Sequence, residues 1–148
     1  MDDLDLKIIR KLVEDSRTSY AEIGRNFGLT RVGIKDRVEK LKTDGVIEEF
    51  TVTLNPEKMG KTVSAFFEID VEPRFLDDVA KGLANDEEVE NLYLMTGSST
   101  LHMHALVNDM DSLENFVLKK IYSLKGVTRV QTHVILKRYK SRKGGARL

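Results

Sequence analysis

Leu6, Ile9, Leu12 and Val13 recur at helical spacing, so residues 3–14 predict an amphipathic helix. Ser19, with Glu22 three residues on, reads as a capping box that opens a second helix running to Phe27. Gly28 suits the left-handed position just past its end. Thr30 caps a third helix, in which Ile34, Val38 and Leu41 share one face and Gly45 marks the stop. About three residues join the second and third helices, and so short a link holds them at a steep angle, as in a helix-turn-helix. "VIEEFTVTL" (46–54) then mixes apolar and β-branched residues, a strand pattern. Three helices and a strand within residues 1–54 describe a winged helix-turn-helix unit.

Pro56 and Gly60 punctuate a polar stretch, so residues 55–62 read as a linker. Beyond it the period changes. "VSAFFEIDV" (63–71) is strand-like. Pro73 introduces a helix carrying Phe75, Val79 and Leu83 four apart. "VENLYLMT" (89–96) and "TLHMHALV" (100–107) flank Gly97-Ser98-Ser99 as a hairpin. Residues 111–125 predict a helix capped by Asp111, with Leu113, Phe116, Val117, Ile121 and Leu124 on one side and Gly126 at its end. "VTRVQTHVILKRY" (127–139) is the last strand. The order βαββαβ makes residues 63–139 a ferredoxin-like domain, and the whole chain an α+β protein. Both helices must cover one face of the sheet. The other face, expected to carry many apolar residues, is left bare, which predicts a homodimer formed through this domain.

Composition changes this picture mainly through where charge falls. The 148 residues are 41% hydrophobic and 32% charged, with no formal net charge. Glu57 to Glu114 holds 13 acidic and 4 basic residues, whereas Phe116 to Leu148 holds 10 basic and no acidic ones. The last residues, 140–148, belong to a basic tail that reads either as a second phosphate contact or as a disordered, solubilising end. There are no cysteines, which excludes a disulfide framework and thiolate metal sites. The N-terminus "MDDLDLKII" lacks the basic and apolar regions of a signal peptide, and no apolar run reaches the roughly 20 residues of a membrane helix. The expectation is a cytoplasmic protein with no membrane association.

The ordered series "LDLKIIRKLVEDSRTSYAEIGRNFGLT", "RVEKLKTDGVI", "NPEKMG", "AFFEIDV", "LYLMTGSS" and "GVTRVQTHVILK" resembles the Lrp/AsnC family of prokaryotic transcription regulators, over nearly the whole chain. The resemblance implies a winged-helix DNA reader joined to a ferredoxin-like effector domain, in dimers that assemble into larger rings. It implies no cofactor.

On the third helix, Ile34, Val38 and Leu41 point inward, while Val32, Lys35, Asp36, Glu39 and Lys40 point outward with Arg31, Gly33 and Arg37 on the flanks. Between Arg25 and Lys42 six basic residues face two acidic ones. The expected partner is double-stranded DNA. Arg31, Arg37 and Lys40 are expected at phosphates, and Val32, Lys35 and Asp36 at base edges in the major groove. Thr30 and Gly33 sit at the helix start, and Ser19 and Tyr20 can touch the backbone. The alternative is a solvated face laced by Asp36–Lys40 and Lys35–Glu39 pairs.

In the family the small-molecule site lies near the hairpin between the second and third sheet strands. The usual pattern there is a glycine followed by aspartate, any residue and aspartate. Here Gly97, Ser98, Ser99 and Thr100 stand in that stretch, and of a common threonine pair on the last strand, at positions 130 and 132, only Thr132 survives, with Val130 in the first place. Gly97, Ser98, Ser99, Thr100 and Thr132 are the candidate lining residues for an amino acid or another small metabolite. Hydroxyls accept hydrogen bonds but supply no counter-charge for an ammonium group. The same stretch also reads as a plain hairpin turn.

His102, His104 and His133 invite a metal reading, but no ligand spacing supports it, so no metal site is expected. Two other functions compete with regulation. A related group on this architecture decarboxylates haem precursors, with strand histidines as suspects, although no acid–base or nucleophile constellation stands out here. The other is an effector-free ligand or assembly module.

Overall fold

The computed structural model describes residues 1–96 and 100–139. They form two compact units, Met1–Thr53 and Leu54–Tyr139.

The first unit holds three helices: α1 (Asp3–Glu14), α2 (Tyr20–Phe27) and α3 (Arg31–Thr43). Each start is set by a short polar side chain. Ser19 Oγ accepts from the Glu22 N–H at 3.2 Å, and Thr30 Oγ1 accepts from the Gly33 N–H at 3.0 Å. The reciprocal capping box expected at Ser19 is found instead on α1: Asp2 accepts from the Asp5 N–H at 2.8 Å, and Asp5 accepts from the Asp2 N–H at 2.9 Å. Gly28 ends α2 at φ 69° in the left-handed region. Ile8, Leu12, Ile23, Ile34 and Val38 form the buried core of this unit.

The strand expected over 46–54 is absent, since these residues carry no strand pairing in the single chain. Phe50, Val52 and Leu54, at alternate positions, are exposed. β-branched residues favour extended backbone, but a strand also needs a neighbour to bond with. The linker is an ordered turn. Asn55 Oδ1 accepts from the Lys58 N–H at 3.2 Å, and a 3₁₀ turn over Glu57–Met59 ends at Gly60.

The second unit is a four-stranded antiparallel sheet in the order β2-β3-β1-β4, with β1 (Val63–Val71), β2 (Val89–Leu94), β3 (Thr100–Val107) and β4 (Val127–Val134). The second and fourth runs of the sequence pattern thus end earlier than expected, at Leu94 and Val134. A 3₁₀ turn at Pro73–Phe75 leads into α4 (Leu76–Ala84). The last helix, α5 (Met110–Asn115), begins one turn position earlier than expected: Asp109, not Asp111, is its cap, accepting from the Ser112 N–H at 2.7 Å. α5 widens into a π turn over Phe116–Ile121. Five residues advance about 140° on an α-helix, so the wider turn brings Phe116 and Ile121 back to the same side. Both are buried.

Alternate residues Ala65, Phe67, Ile69 and Val71 of β1 and Leu101, Met103, Ala105 and Val107 of β3 pack under the helices with Val79, Leu83, Leu113, Phe116 and Ile121. The opposite face differs from expectation. By strand register it holds Glu68 and Asp70 of β1, His102 and His104 of β3, and Gln131, Arg129 and His133 of β4. Phe66 and Tyr93 are its exposed aromatic residues. The uncovered face is therefore mostly polar, so apolar area alone does not argue for a subunit there. Among the described residues, no helix is long and apolar enough to cross a membrane.

Candidate functional site

The hydrophobic seam of α3 determines what its other side presents. With Ile34, Val38 and Leu41 buried, Val32, Lys35, Asp36 and Lys40 face solvent, and Val32 is 63% exposed. An apolar side chain left that open near a helix start has nothing to pack on within its own domain. Arg31, Lys35 and Lys40 make no ion pair among the described residues. The i,i+4 pairs that would have made this a self-neutralised surface do not form. Glu39 pairs with Lys42 instead, at 3.5 Å.

The start of α2 meets the start of α3 in one open cleft. Ser19, Tyr20 and Arg31 line it together with Thr18, Phe50 and Val52. Ser19, Tyr20 and Arg31, named separately from the sequence, are thus brought to a single surface of hydroxyl groups, free backbone N–H groups at a helix start and one guanidinium, a chemistry suited to phosphate oxygens. Thr30 is occupied as a cap. A Cβ on Gly33 would meet only Thr30 Oγ1, at 3.4 Å, so packing within the chain does not require a glycine there.

Arg37 departs from the expected phosphate role. Its Nη1 donates to Asp2 Oδ2 at 2.8 Å and to Asp5 Oδ1 at 2.7 Å, tying α3 to the capped start of α1. Asp5 is the one buried charged residue among those described. The hydrogen bonds that the guanidinium donates to Asp2 and Asp5 raise the Arg37 pKa further above its usual value. Asp2 is held below the ordinary carboxylate value, first by the Asp5 N–H and then by the guanidinium. Asp2 and Asp5 were missed as functional partners. Their three-residue spacing signals a cap, but nothing in the sequence links them to a residue 35 and 32 positions away.

In the second unit, Gly97, Ser98 and Ser99 lie outside the described residues. Thr100 and Thr132 do not share a surface. Thr100 pairs with Asp70 on the open face, whereas Thr132 pairs with Phe67 on the helix side and lines a groove with Met110, Leu113, Glu114, Val117 and Leu118. The register therefore does not bring Thr132 together with Thr100. The reason is parity: Phe67 and Asp70 are three apart on β1 and must point to opposite faces. Thr100 Oγ1 donates to Asp70 Oδ1 at 2.8 Å, and Arg129 Nη1 lies 3.9 Å from Asp70 Oδ2. Asp70 thus brings to the base of the hairpin a carboxylate that the hairpin sequence lacks.

The three histidines share the open face, but no group of three or more metal-ligating side chains among the described residues is placed to hold an ion. His104 stacks on Phe66 at 4.8 Å, and its Nε2 is 2.7 Å from Ser64 Oγ.

A three-helix unit with an unpaired basic face on its third helix, joined to a βαββαβ domain, defines a helix-turn-helix DNA-binding regulator with an effector-type second domain. Residues 1–42 match the AsnC-type helix-turn-helix domain, and residues 64–144 match the Lrp/AsnC ligand binding domain. The chain belongs to the Lrp/AsnC family of transcription regulators. It is 35% identical over 135 residues to an uncharacterized HTH-type transcriptional regulator of Pyrococcus horikoshii, covering 91% of this chain and 85% of the relative. Among solved structures it is similar to AsnC of E. coli, with a TM-score of 0.89, 26% identity and 96% of each chain covered. It is also similar to the L-Met complex of the transcriptional regulator NMB0573 from Neisseria meningitidis, with a TM-score of 0.88, 25% identity, and 95% of this chain and 93% of that one covered.

Proposed function

We propose that this regulator binds double-stranded DNA through the outer face of α3, as a homodimer or larger assembly on roughly palindromic sites in the cytoplasm. Val32, Lys35 and Asp36 face base edges. Arg31 and Lys40 meet phosphates, supported by Ser19 and Tyr20. Asp36, a carboxylate with no ion pair among the described residues, suits a cytosine N4 donor. The observation that carries the reading is that Arg31, Lys35 and Lys40 are exposed on this face and unpaired among the described residues.

The test is a salt titration of binding to a duplex selected from a randomised pool. Lys40→Ala is expected to weaken binding alike on all sequences and to flatten the log–log salt slope by about 0.9, one phosphate contact. Val32→Ala is expected to relax preference at a single base position and to leave the slope unchanged. A Lys40→Ala slope equal to that of the parent removes the phosphate assignment.

The dimer reading rests on residues 46–54, a β-branched segment whose Phe50, Val52 and Leu54 are exposed and without a partner strand. A second copy related by a two-fold axis offers the same segment in antiparallel pairing. The effector we infer is a small molecule carrying an ammonium group, because Asp70 offers a counter-charge beside Thr100. The Neisseria regulator's complex with L-Met supports an amino acid. Calorimetric titration with a panel of L-amino acids tests this, and absence of heat across the panel would withdraw it.

A further inference from the structure

We propose that Arg37 is a positioning residue for DNA recognition, clamping the rotation of α3 against the start of α1 through Asp2 and Asp5. The inference rests on the DNA-binding reading above and concerns how that surface is aimed.

The seam of Ile34, Val38 and Leu41 holds α3 on α1 and α2 by apolar contact. Such contact is non-directional and tolerates some rotation of a helix about its axis. A guanidinium held by two carboxylates is directional. Arg37 follows Asp36 and lies one turn beyond Gly33, so a twist of α3 moves the reading side chains and Arg37 together. Its Nη1 is held at 2.8 Å by Asp2 and 2.7 Å by Asp5. Those carboxylates are themselves fixed, because each also accepts a backbone N–H of the other's residue. Asp5 is 9% exposed, so the anchor sits against the body of the domain. The clamp therefore joins a rigid cap on one helix to the flank of the reading helix, 32 residues away in sequence.

Both bonds are made through Nη1, and the clamping role is separated from a phosphate contact by experiment. The probes are the duplex selected by the parent protein and poly(dI-dC), and the variants are Arg37→Ala, Asp5→Asn and the double variant. Circular dichroism establishes that each is folded at the assay temperature. Asp5→Asn keeps an oxygen for the cap, so one variant of the pair retains its helix start. If the clamp aims α3, both single variants lower the ratio of selected to poly(dI-dC) affinity by about tenfold and leave the salt slope as in the parent. The double variant is then no worse than Arg37→Ala, because Asp5 acts on α3 through Arg37. If Arg37 instead reaches phosphate, Arg37→Ala flattens the slope by about 0.9, and Asp5→Asn, by releasing the guanidinium, tightens binding to both duplexes. Either result overturns the proposal, as does additivity of the two single variants. Failure of the parent protein to enrich any duplex would sink the DNA-binding reading itself, and the clamp with it.

Discussion

Gly24 and Gly33 differ in a way that single residues rarely do so cleanly. A Cβ on Gly24 would come within 2.5 Å of the Leu29 carbonyl oxygen, because the turn to α3 passes directly over α2. Gly24→Ala is expected to destabilise the first unit by about 1–3 kcal/mol, as overpacking does. Gly33 has room for a methyl group, and alanine is the better helix former by roughly 0.5–1 kcal/mol. Gly33→Ala should therefore raise the unfolding midpoint. If DNA lies close against the first turn of α3, the same change weakens binding. Unchanged affinity in Gly33→Ala would mean that the duplex does not approach the backbone there. At this scale the sequence was legible where a residue acts on its near neighbours. Ser19, Gly28 and Thr30 mark helix ends by chemistry confined to a few positions. The bonds of Arg37 to Asp2 and Asp5 were not legible, because those carboxylates are distant in sequence.

At the scale of elements, the periodicities placed the five helices and four sheet strands of the described residues, because each buries one face on a local core. They failed at 46–54, where the pattern reports a preference for extended backbone but not the partner strand that would fulfil it. They do not tell which residues of β4 lie beside the hairpin: that Thr132 is on the helix side follows from a register that only the folded sheet reveals. The register also sets a pH dependence. Burial, with Arg138 nearby, holds His104 below its ordinary value of 6.5. The unfolded chain therefore takes up this proton first, and the folded state gains less from acidification. Stability of the sheet domain is expected to fall as pH drops from about 6.5 through the lower folded value. His104→Gln should flatten that part of the profile, measured by thermal unfolding. A parent protein whose stability rises over the same interval would contradict the assignment.

For the whole molecule, charge is the organising feature. The chain carries 24 basic and 24 acidic residues, yet the outer face of α3 keeps Arg31, Lys35 and Lys40 unpaired among the described residues while Arg37 is neutralised from α1. A protein without net charge can still bind a polyanion when its free cations share one surface. A self-complementary assembly would present two such surfaces, and light scattering of the purified protein should then report at least a dimer. The most direct test of the account is the mapping of amide chemical shifts of isotope-labelled protein on addition of a selected duplex. The largest changes are expected at Arg31, Val32, Lys35, Asp36 and Lys40, with Ser19 and Tyr20 next. Changes concentrated elsewhere, with α3 undisturbed, would contradict it.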